Sequence, residues 1–302
     1  MAKFMSNQIL IFGCNGQLGK SVSNIFPDGI KYSRAECDFN NPEDISKSIL
    51  RIKPEIIINC AAYTDVNNSE IDIKKALKIN SIAVKAIALA ANIVDALVIH
   101  FSTDYVFDGS NSDSYTENSP TNPINNYGKS KLQGERKLIN FTDKYIIIRT
   151  SWVYGKGKNN FVYKIIKNIQ QRKKLAVVNY EYSSPTYTKS LALIVKMFIE
   201  KYFRMSKEKL EYGIYNFSGD VNISRYTFAK KIIEIMNTFY SNNNIRITAI
   251  SDKLKTKVER PSNSFLNCDK ICNYLNIELP NWENQLKDFF DDNYITMFEN
   301  DK

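Results

Sequence analysis

Tyr127 and Lys131 lie four residues apart, in a segment that reads as the start of a helix. Positions i and i+4 share one helix face, with Cβ atoms ~6 Å apart. A neighbouring ammonium favours the phenolate and lowers the tyrosine pKa from its usual value of ~10. The pair can therefore act as an acid or a base near neutral pH, although the same spacing also describes two surface residues on a helix.

A glycine-rich loop follows the first apolar run of the chain. Gly13, Gly16 and Gly19 come directly after the run at residues 8–12 and open an amphipathic stretch. Glycine lets the backbone turn tightly and approach a pyrophosphate, and the N-terminus of the next helix supplies free N–H groups with a partial positive charge. The loop predicts dinucleotide binding, with an incidental tight turn as the alternative.

The end of the second predicted strand bears on the choice of nucleotide. Folds specific for NAD carry an acidic residue here for the ribose 2′-hydroxyl, but residues 31–34 contain none. Ser33 and Arg34 could receive a 2′-phosphate instead, because a guanidinium pairs well with phosphate. We therefore expect NADPH, with NADH and a merely exposed Arg34 left open.

The chemistry depends on an alternation of short apolar runs and amphipathic stretches. Continuous β-branched runs indicate strands covered on both faces, as in parallel sheets. The predicted strands are 8–12, 55–59, 97–101, 145–149, 175–178 and 215–217, and the predicted helices are 69–91, 130–140, 160–169, 190–201, 226–236 and one from 279–282. Strand–helix alternation over the first 150 residues predicts a doubly wound α/β domain.

Composition sets the broad class of the protein. The chain has 302 residues, of which 43% are hydrophobic and 24% charged, as in ordinary globular proteins. No apolar run reaches the ~20 residues needed to span a bilayer, and the N-terminus lacks the apolar core of a signal peptide, so we expect a cytoplasmic protein. The net charge of +9 comes from scattered lysines. We predict no nucleic-acid or membrane partner, and a diphosphate-bearing substrate fits the charge equally well.

The cysteine and histidine inventory excludes other chemistries. Five cysteines, an odd count, argue against a disulfide framework, and Cys268 and Cys272 have no second pair to complete a metal site. The single histidine, His100, lies within an apolar run and reads as a strand residue. A Ser-His-Asp or Cys-His mechanism is therefore not expected.

Several segments occur in an order that resembles the extended short-chain dehydrogenase/reductases. These are the glycine loop and residues 37–39, 59–64, 102–109 and 127–131. Further segments resemble one group of that family, the dTDP-4-dehydrorhamnose reductases. These segments are 16–19, 102–109 (Ser-Thr-Asp-Tyr-Val-Phe-Asp-Gly), 149–155 (Arg-Thr-Ser-Trp-Val-Tyr-Gly), 184–186 and 260–264. The segments 102–109 and 149–154 are highly specific to this group. The likeness runs from about residue 8 to residue 290.

The resemblance implies a role for individual positions. Together with the loop, it predicts the cofactor-binding residues Gly13, Asn15, Gly16, Gln17, Leu18, Gly19, Ser33, Arg34, Asp38, Phe39, Ala61, Ala62, Tyr63, Tyr127 and Lys131. It predicts the substrate-binding residues Thr64, Thr103, Asp104, Tyr105, Trp152 and Arg260. The predicted catalytic residues are Thr103, whose hydroxyl would help polarise a keto oxygen, Tyr127, which would donate the proton, and Lys131, which would bind the nicotinamide ribose and lower the Tyr127 pKa.

The resemblance also implies the domain plan and the reaction. We expect a Rossmann-type doubly wound parallel sheet in residues 1–151 and a smaller substrate-binding α/β domain in 152–302, with segments near 175–200 and 213–218 returning to the sheet. The expected activity is NAD(P)H-dependent reduction of the C4 keto group of dTDP-4-dehydro-L-rhamnose. The alternatives are another nucleotide 4-keto-6-deoxy sugar and a non-catalytic nucleotide-binding regulator.

The resemblance raises one question about metal and assembly. Some members of the group dimerise through a magnesium ion held by glutamates, and the corresponding positions here are Ser21, Lys189 and one near Asp292. Neither a hydroxyl nor a lysine replaces a carboxylate well, because magnesium prefers anionic oxygen. We therefore predict no metal site, and we leave a homodimer open.

Overall fold

The computed structural model describes residues 8–157, 160–171, 174–204, 210–239, 246–252 and 258–298. Residues 1–7, which include most of the N-terminus on which the signal-peptide expectation depends, lie outside this range. The strands are β1 (Ile9–Phe12), β2 (Ile30–Tyr32), β3 (Ile56–Asn59), β4 (Leu97–Thr103), β5 (Tyr145–Thr150), β6 (Val153–Tyr154), β7 (Leu175–Val178), β8 (Tyr182–Ser183), β9 (Thr186–Tyr187), β10 (Gly213–Asn216), β11 (Ile223–Ser224) and β12 (Ile247–Ile250).

Helices connect and cover these strands. They are α1 (Gln17–Ile25), α2 (Pro42–Ile52), α3 (Val66–Ile71), α4 (Ile73–Leu77), α5 (Ala83–Val94), α6 (Asn126–Phe141), α7 (Phe161–Gln170), α8 (Thr188–Arg204), α9 (Arg225–Phe239), α10 (Asp269–Leu275) and α11 (Trp282–Phe298). A π-helical turn, Lys78–Ile82, joins α4 to α5, and a 3-10 turn, Asp104–Val106, follows β4.

Six of the described strands form one parallel sheet in the order β10-β5-β4-β3-β1-β2. The strand order reverses at β1, because β2 lies on one side of it and β3 on the other. In open α/β sheets, ligands bind outside the carboxyl ends of the strands at such a switch point. The predicted doubly wound fold is confirmed, and it brings the ends of β1 and β3 together.

Both faces of the sheet are covered, which explains the continuous apolar runs. Alternate residues of each central strand point to opposite faces. Ile9 and Ile11 of β1 enter a core shared with α1 and α8, whereas Leu10 and Phe12 enter a second core beneath α2, α5 and α6. All seven residues of β4 are buried. The sheet is therefore a rigid layer on which the strand-end loops are held.

The helix predicted over residues 69–91 is divided into several segments. Asp72 ends α3 and caps α4, since its carboxylate accepts a hydrogen bond from the backbone N–H of Lys75. Ile73–Val94 is long and apolar enough to cross a membrane, since an 18-residue window within it has a mean hydropathy of 1.5. However, 56% of this window is buried inside the protein. This stretch packs on α2 and α6, so its apolar composition is explained by the core.

The second half of the chain builds a third core and also returns to the sheet. Gly213–Asn216 pairs with β5 as an edge strand, and α8 packs on α1. Leu175–Val178, expected to return with the 175–200 segment, pairs instead with β12 in a separate two-stranded sheet. Its residues alternate between buried and less buried positions, and Leu175 and Val177 enter the core of α7, α9 and α11. One covered face suits a small satellite sheet rather than the doubly covered central one.

Candidate active site at the carboxyl ends of the sheet

The glycine loop forms a backbone cradle between β1 and α1. Gly13 has φ +74°, and a Cβ atom added there would lie 2.7 Å from the backbone nitrogen of Ala61. A Cβ on Gly19 would lie 2.0 Å from the carbonyl oxygen of Gly13. Gly16 precedes the first residue of α1 with no side-chain cap, so the N–H groups of the first turn remain available to an anion.

A cleft of about 380 Å³ opens beside this cradle at the switch point. It is lined by Gly13, Asn15, Gly16, Ser33, Arg34, Cys37, Asp38, Phe39, Cys60, Ala61, Ala62 and Ile79. Phe39 is buried against Phe12, with ring centroids 5.4 Å apart, and the exposed Asp38 stands at the rim. An apolar wall beside a polar rim and a helix N-terminus suits a dinucleotide, so the residues present fit the cofactor that the glycines indicate.

Two predicted loop residues are placed in ways that the motif does not reveal. The side chain of Gln17 donates to the backbone oxygen of Val153 at 3.3 Å and accepts from Asn160 at 3.2 Å. Leu18 packs against the core shared with α8. Their side chains therefore contact the second half of the chain, and neither residue lines the cleft beside the loop.

Ser33, expected to bind a 2′-phosphate, has an intramolecular partner. Its backbone N–H and its hydroxyl both donate to one carboxylate oxygen of Glu36, at 2.7 and 2.5 Å. These bonds lower the Glu36 pKa. Arg34 is exposed beside them. An acidic group thus lies close to the proposed phosphate position, which the composition of residues 31–34 did not indicate.

Tyr127 is held by the first turn of α6. Asn125 caps this helix by accepting from the backbone N–H of Gly128 at 2.8 Å. A Cβ atom on Gly128 would lie 2.1 Å from the carbonyl oxygen of Tyr105, so glycine allows the helix to approach the turn after β4. The rings of Tyr105 and Tyr127 then meet edge to face, with centroids 5.9 Å apart. The phenol is fixed beside the end of β4.

Lys131 is buried one turn further along α6. Its Nζ donates to the carbonyl oxygen of Phe101 at 2.6 Å and lies 3.4 Å from Nε2 of His100. Burial lowers the Lys131 pKa to about 8, against the opposing charge of Glu135. His100 is a buried strand residue, as predicted, and burial together with Lys131 holds its pKa well below the usual range.

The predicted lowering of the Tyr127 pKa by Lys131 is wrong for this structure. Burial raises the Tyr127 pKa, the charges on Asp104 and Tyr105 add to the rise, and a hydrogen bond with Thr103 opposes it. The Lys131 ammonium is directed at a backbone carbonyl, and desolvation of the phenol dominates. Tyr127 itself is half-buried. The phenol is protonated at neutral pH.

Thr103 and Asp104 form a buried hydrogen-bonded pair at the end of β4. Thr103 Oγ1 lies 3.0 Å from Oδ1 of Asp104, and it accepts from the backbone N–H of Tyr105 at 3.2 Å. Oδ2 of Asp104 accepts from the hydroxyl of Ser264 at 2.5 Å. Burial raises the Asp104 pKa to about 6, although both hydroxyls and the charge of Arg225 oppose the rise.

The remaining predicted substrate residues differ in their exposure and in their partners. Trp152 adopts φ +42°, and the Arg225 guanidinium lies 3.7 Å from its ring centroid. Arg260 donates to the side chain of Asn67 at 2.8 Å, and Thr64 is exposed. Tyr105 is buried, and burial raises its pKa to about 12. Trp152 thus has a cation on one face, which the sequence pattern did not indicate.

Asn80 connects the cofactor side to the catalytic side. Its amide accepts from the backbone N–H of Tyr63 at 2.8 Å and donates to the hydroxyl of Ser130 at 2.9 Å. Ser130 in turn donates to the carbonyl oxygen of Tyr127 at 2.7 Å. Asn80 lies in the π-helical turn, and these bonds give it a structural role.

The positions compared with magnesium ligands are satisfied by protein groups. Ser21 Oγ lies 2.8 Å from the hydroxyl of Thr188, and Lys189 forms an ion pair with Asp292 at 2.8 Å. Among the described residues, no group of three or more histidine, cysteine, aspartate or glutamate side chains comes together.

Glu36, Arg225 and Ser264 lie outside the predicted set and also belong to this site, as do Cys37, Cys60 and Ile79 of the cleft lining. Ser264 lies in the segment 260–264 that carried the resemblance, but nothing in its spacing indicated a partner at residue 104. Arg225 begins α9 and is brought to Trp152 only by the tertiary fold. Glu36 lies three residues from Ser33, and a turn-forming Ser-x-x-Glu pattern is the local signal that could have revealed it.

Comparison with known proteins agrees with this geometry. Residues 7–295 match the family described as RmlD substrate binding domain. The dTDP-4-dehydrorhamnose reductase of Aggregatibacter actinomycetemcomitans is 35% identical over 287 residues, which cover 93% of this chain and 97% of the relative.

Solved structures agree in fold. The dTDP-4-dehydrorhamnose reductase of Bacillus anthracis in complex with NADP superposes with a TM-score of 0.84 at 33% identity, covering 94% of this chain and 98% of that one. The orthologue from Clostridium acetobutylicum gives a TM-score of 0.85 at 32% identity, with the same coverage. The chain belongs to the dTDP-4-dehydrorhamnose reductase family.

Proposed function

We propose that the protein reduces the C4 keto group of dTDP-4-dehydro-L-rhamnose to give dTDP-L-rhamnose, a step in the synthesis of nucleotide sugars for polysaccharides. The observation that carries the proposal is the position of Tyr127 beside the end of β4, where its ring lies 5.9 Å from that of Tyr105 and its hydroxyl interacts with the hydroxyl of Thr103. These hydroxyls stand at the same edge of the sheet as the glycine cradle, in a chain of the reductase family.

NADPH is the proposed cofactor, and NADH is the alternative. The relative from Bacillus anthracis was crystallised with NADP, and the cleft beside Gly13 has the backbone approach and helix N-terminus that a pyrophosphate requires. Ala61, Ala62 and Phe39 would line the adenosine and nicotinamide path, and Asp38 would hydrogen-bond the adenine. When bound, the cofactor supplies a hydride to the keto carbon.

Tyr127 is the proposed proton donor. Its raised pKa keeps the phenol protonated at neutral pH, so a proton is available for the oxygen of the reduced carbon. Thr103 interacts with the phenol, and this interaction opposes the rise in the Tyr127 pKa. Lys131, whose pKa of about 8 leaves it mostly charged at neutral pH, is the proposed cation for the nicotinamide ribose and for the charge that develops on that oxygen.

The substrate is proposed to lie between the end of β4 and the second half of the chain. Trp152 would pack on the sugar nucleotide, Asp104 and Tyr105 would line the sugar subsite, and Arg260 would face the diphosphate. We accordingly propose residues 1–151 as the cofactor domain and 152–302 as mainly the substrate domain. Strand β10 pairs with β5 of the central sheet and α8 packs on α1, which supports tight packing of the proposed substrate domain against the cofactor domain.

The cellular location, the macromolecular partners and the oligomeric state of the protein stay predictions. Relatives of the family are biosynthetic reductases, and we propose that this protein acts in the cytoplasm on a nucleotide sugar without binding nucleic acid or membrane. A homodimer also stays a prediction, and light scattering of the purified protein would decide it. The positions compared with magnesium ligands include Lys189 and Asp292, which pair with each other, so we propose that such a dimer would not use magnesium.

The test is to follow NADPH oxidation with dTDP-4-dehydro-L-rhamnose and to identify the product sugar by NMR. Formation of dTDP-L-rhamnose is expected. If NADPH is oxidised only with another nucleotide 4-keto-6-deoxy sugar, that sugar is the substrate instead of dTDP-4-dehydro-L-rhamnose. No oxidation with any such sugar, by folded protein that still binds NADPH, would contradict the reductase and favour a regulatory relative.

A further inference from the structure

Ser264 is a buried hydroxyl that enters the site from far along the chain. Its side chain is 2% exposed, and its Oγ donates to Oδ2 of Asp104 at 2.5 Å, across 160 residues of sequence. A serine inside a protein needs a partner for its O–H group, and many acceptors can satisfy it. Here the partner is a carboxylate that is one residue away from Thr103.

The segment that carries Ser264 is fastened on several sides. A Cβ atom on Gly109, at φ +81°, would lie 2.6 Å from Pro261, so the loop after β4 and this segment are in close contact. The amide of Asn263 donates to three backbone oxygens of residues 111–113, at 2.8 to 3.2 Å. The backbone N–H of Ser264 also bonds to Tyr182 at 2.9 Å. Ser264 is therefore held in a fixed position next to Asp104.

Asp104 links the fixed position of Ser264 to the hydroxyl of Thr103. An ionised carboxylate can only accept hydrogen bonds, so the contact of 3.0 Å between its Oδ1 and Thr103 Oγ1 commits the single hydroxyl proton of Thr103 to Asp104. The oxygen of Thr103 then accepts from the backbone N–H of Tyr105, and its contact with the Tyr127 phenol opposes the rise in the Tyr127 pKa. The direction in which Thr103 bonds is thus determined by Asp104.

The charges around Asp104 are few and identifiable. Arg225 is the cation that acts on it, and Arg225 lies 3.7 Å from Glu181 in an ion pair. Tyr105 and Tyr127 are the phenols whose pKa values respond to Asp104. Without the Ser264 hydrogen bond, the ionised form of Asp104 would lose one of the groups that stabilise it in its buried position.

We propose that Ser264 is a positioning residue for the reduction, acting through Asp104 to hold the Thr103 hydroxyl in the direction that aligns the Tyr127 phenol. This inference rests on the proposed function. Ser264 touches neither cofactor nor substrate in this account. It contributes by fixing the acceptor to which Thr103 donates, and it makes the second half of the chain part of the catalytic arrangement.

The first test compares Ser264→Ala with Ser262→Ala. Ser262 is an exposed serine of the same segment, so its replacement controls for a general effect on the loop. Ser264→Ala should lower kcat about 10-fold, the loss typical of a hydrogen bond to a charged group. Its KM for the nucleotide sugar and its Kd for NADPH should change less than about 3-fold, because the cofactor cleft does not involve Ser264.

The pH dependence of kcat separates positioning from packing. The wild-type rate should rise with pH through about 6, as Asp104 ionises. The hydrogen bond from Ser264 favours the ionised carboxylate, so its loss raises the Asp104 pKa. Ser264→Ala should therefore move this acid limb about one pH unit higher. Ser264→Thr, which keeps the hydroxyl, should restore the wild-type limb. A limb that stays in place in a folded alanine variant would overturn the proposal.

A second replacement keeps the test decisive if the alanine variant fails to fold. Ser264→Cys preserves the size of the side chain but offers only a weak donor, and it should shift the acid limb in the same direction. Wild-type kcat and pH dependence in the cysteine variant would overturn the proposal. If Tyr127→Phe loses activity while the Ser264 variants keep the wild-type kcat and pH dependence, only the positioning role of Ser264 is contradicted. If Tyr127→Phe keeps full activity, the proposed function itself is contradicted.

Discussion

The two sides of the active-site edge are built in different ways. The cofactor side is a backbone cradle, in which Gly13 packs against the backbone of Ala61 and Gly19 packs against the carbonyl group of Gly13. The catalytic side is a chain of side-chain hydrogen bonds that joins Tyr127, Thr103, Asp104 and Ser264 from three distant segments. The first is a local feature of the sequence, and the second exists only in the folded protein.

This difference determines how each side responds to change. A backbone cradle fails when a Cβ atom is added, because no neighbouring atom can move far enough without shifting the main chain. A hydrogen-bonded chain tolerates small changes in shape but depends on protonation and on each partner being present. Replacements on the cofactor side should therefore affect binding, and those on the catalytic side should affect rate and pH dependence.

The largest expected effect is on the cofactor side. In Gly19→Ala the new Cβ would lie 2.0 Å from the carbonyl oxygen of Gly13, so the loop must shift. We expect the Kd for NADPH, measured by fluorescence titration, to rise roughly 100-fold. Gly29→Ala is the control, since its Cβ would meet its neighbours at 3.4 Å. Equal affinities in the two variants would show that the cradle is not the binding element.

The next effect concerns the catalytic side and the cost of burying Asp104. Its pKa is raised from 3.8 to about 6, so the folded protein binds this proton more tightly than the unfolded chain does. Its contribution to stability is therefore lost as pH rises between about 4 and 6, and amounts to about 2 kcal/mol. Asp104→Asn lacks this titration. Its free energy of unfolding relative to wild type should increase by that amount between pH 4 and pH 7.

Urea unfolding at the two pH values measures this change. Asp108→Asn is a suitable control, because hydrogen bonds from Ser110 lower the Asp108 pKa to about 2. Its difference from wild type should change little between pH 4 and pH 7. If Asp104→Asn shows the same flat difference, Asp104 is not held in the buried, hydrogen-bonded arrangement described above.

The smallest effect should come from Glu36, where a side chain does contribute to the cofactor side. Glu36 occupies both donors of Ser33 and places a negative charge near the proposed 2′-phosphate. Glu36→Gln should improve binding of NADPH relative to NADH about 3-fold, a modest gain because the group is exposed. Glu43→Gln, an exposed glutamate on α2, is the control. An unchanged or lower NADPH preference would contradict the role of Glu36.

Sequence patterns predicted the local features well. The glycine spacing, the buried strands and the helix that carries Tyr127 all depend on neighbouring residues, and the structure has each of them. The break at Asp72 was missed because a single capping carboxylate interrupted an otherwise apolar stretch. The separate pairing of Leu175–Val178 was missed because a short apolar run does not reveal its partner.

The electrostatics of the site could not be predicted from spacing. The i, i+4 relation of Tyr127 and Lys131 suggested a lowered phenol pKa, but the direction depends on burial and on where the ammonium points. Likewise, Ser264 reaches Asp104 only because the segment after residue 258 returns to the end of β4. Such contacts join residues that are far apart in sequence, so no local pattern contains them.

The most direct test of the account is the Tyr127→Phe variant, studied in two measurements on the same preparation. Removing the phenol hydroxyl should lower the single-turnover rate of NADPH oxidation with dTDP-4-dehydro-L-rhamnose roughly 100-fold or more, because the proton donor is lost. The Kd for NADPH should stay within about 3-fold of wild type, since the cradle is intact. A near-wild-type rate, or a loss of rate matched by an equal loss of NADPH affinity, would contradict Tyr127 as the proton donor.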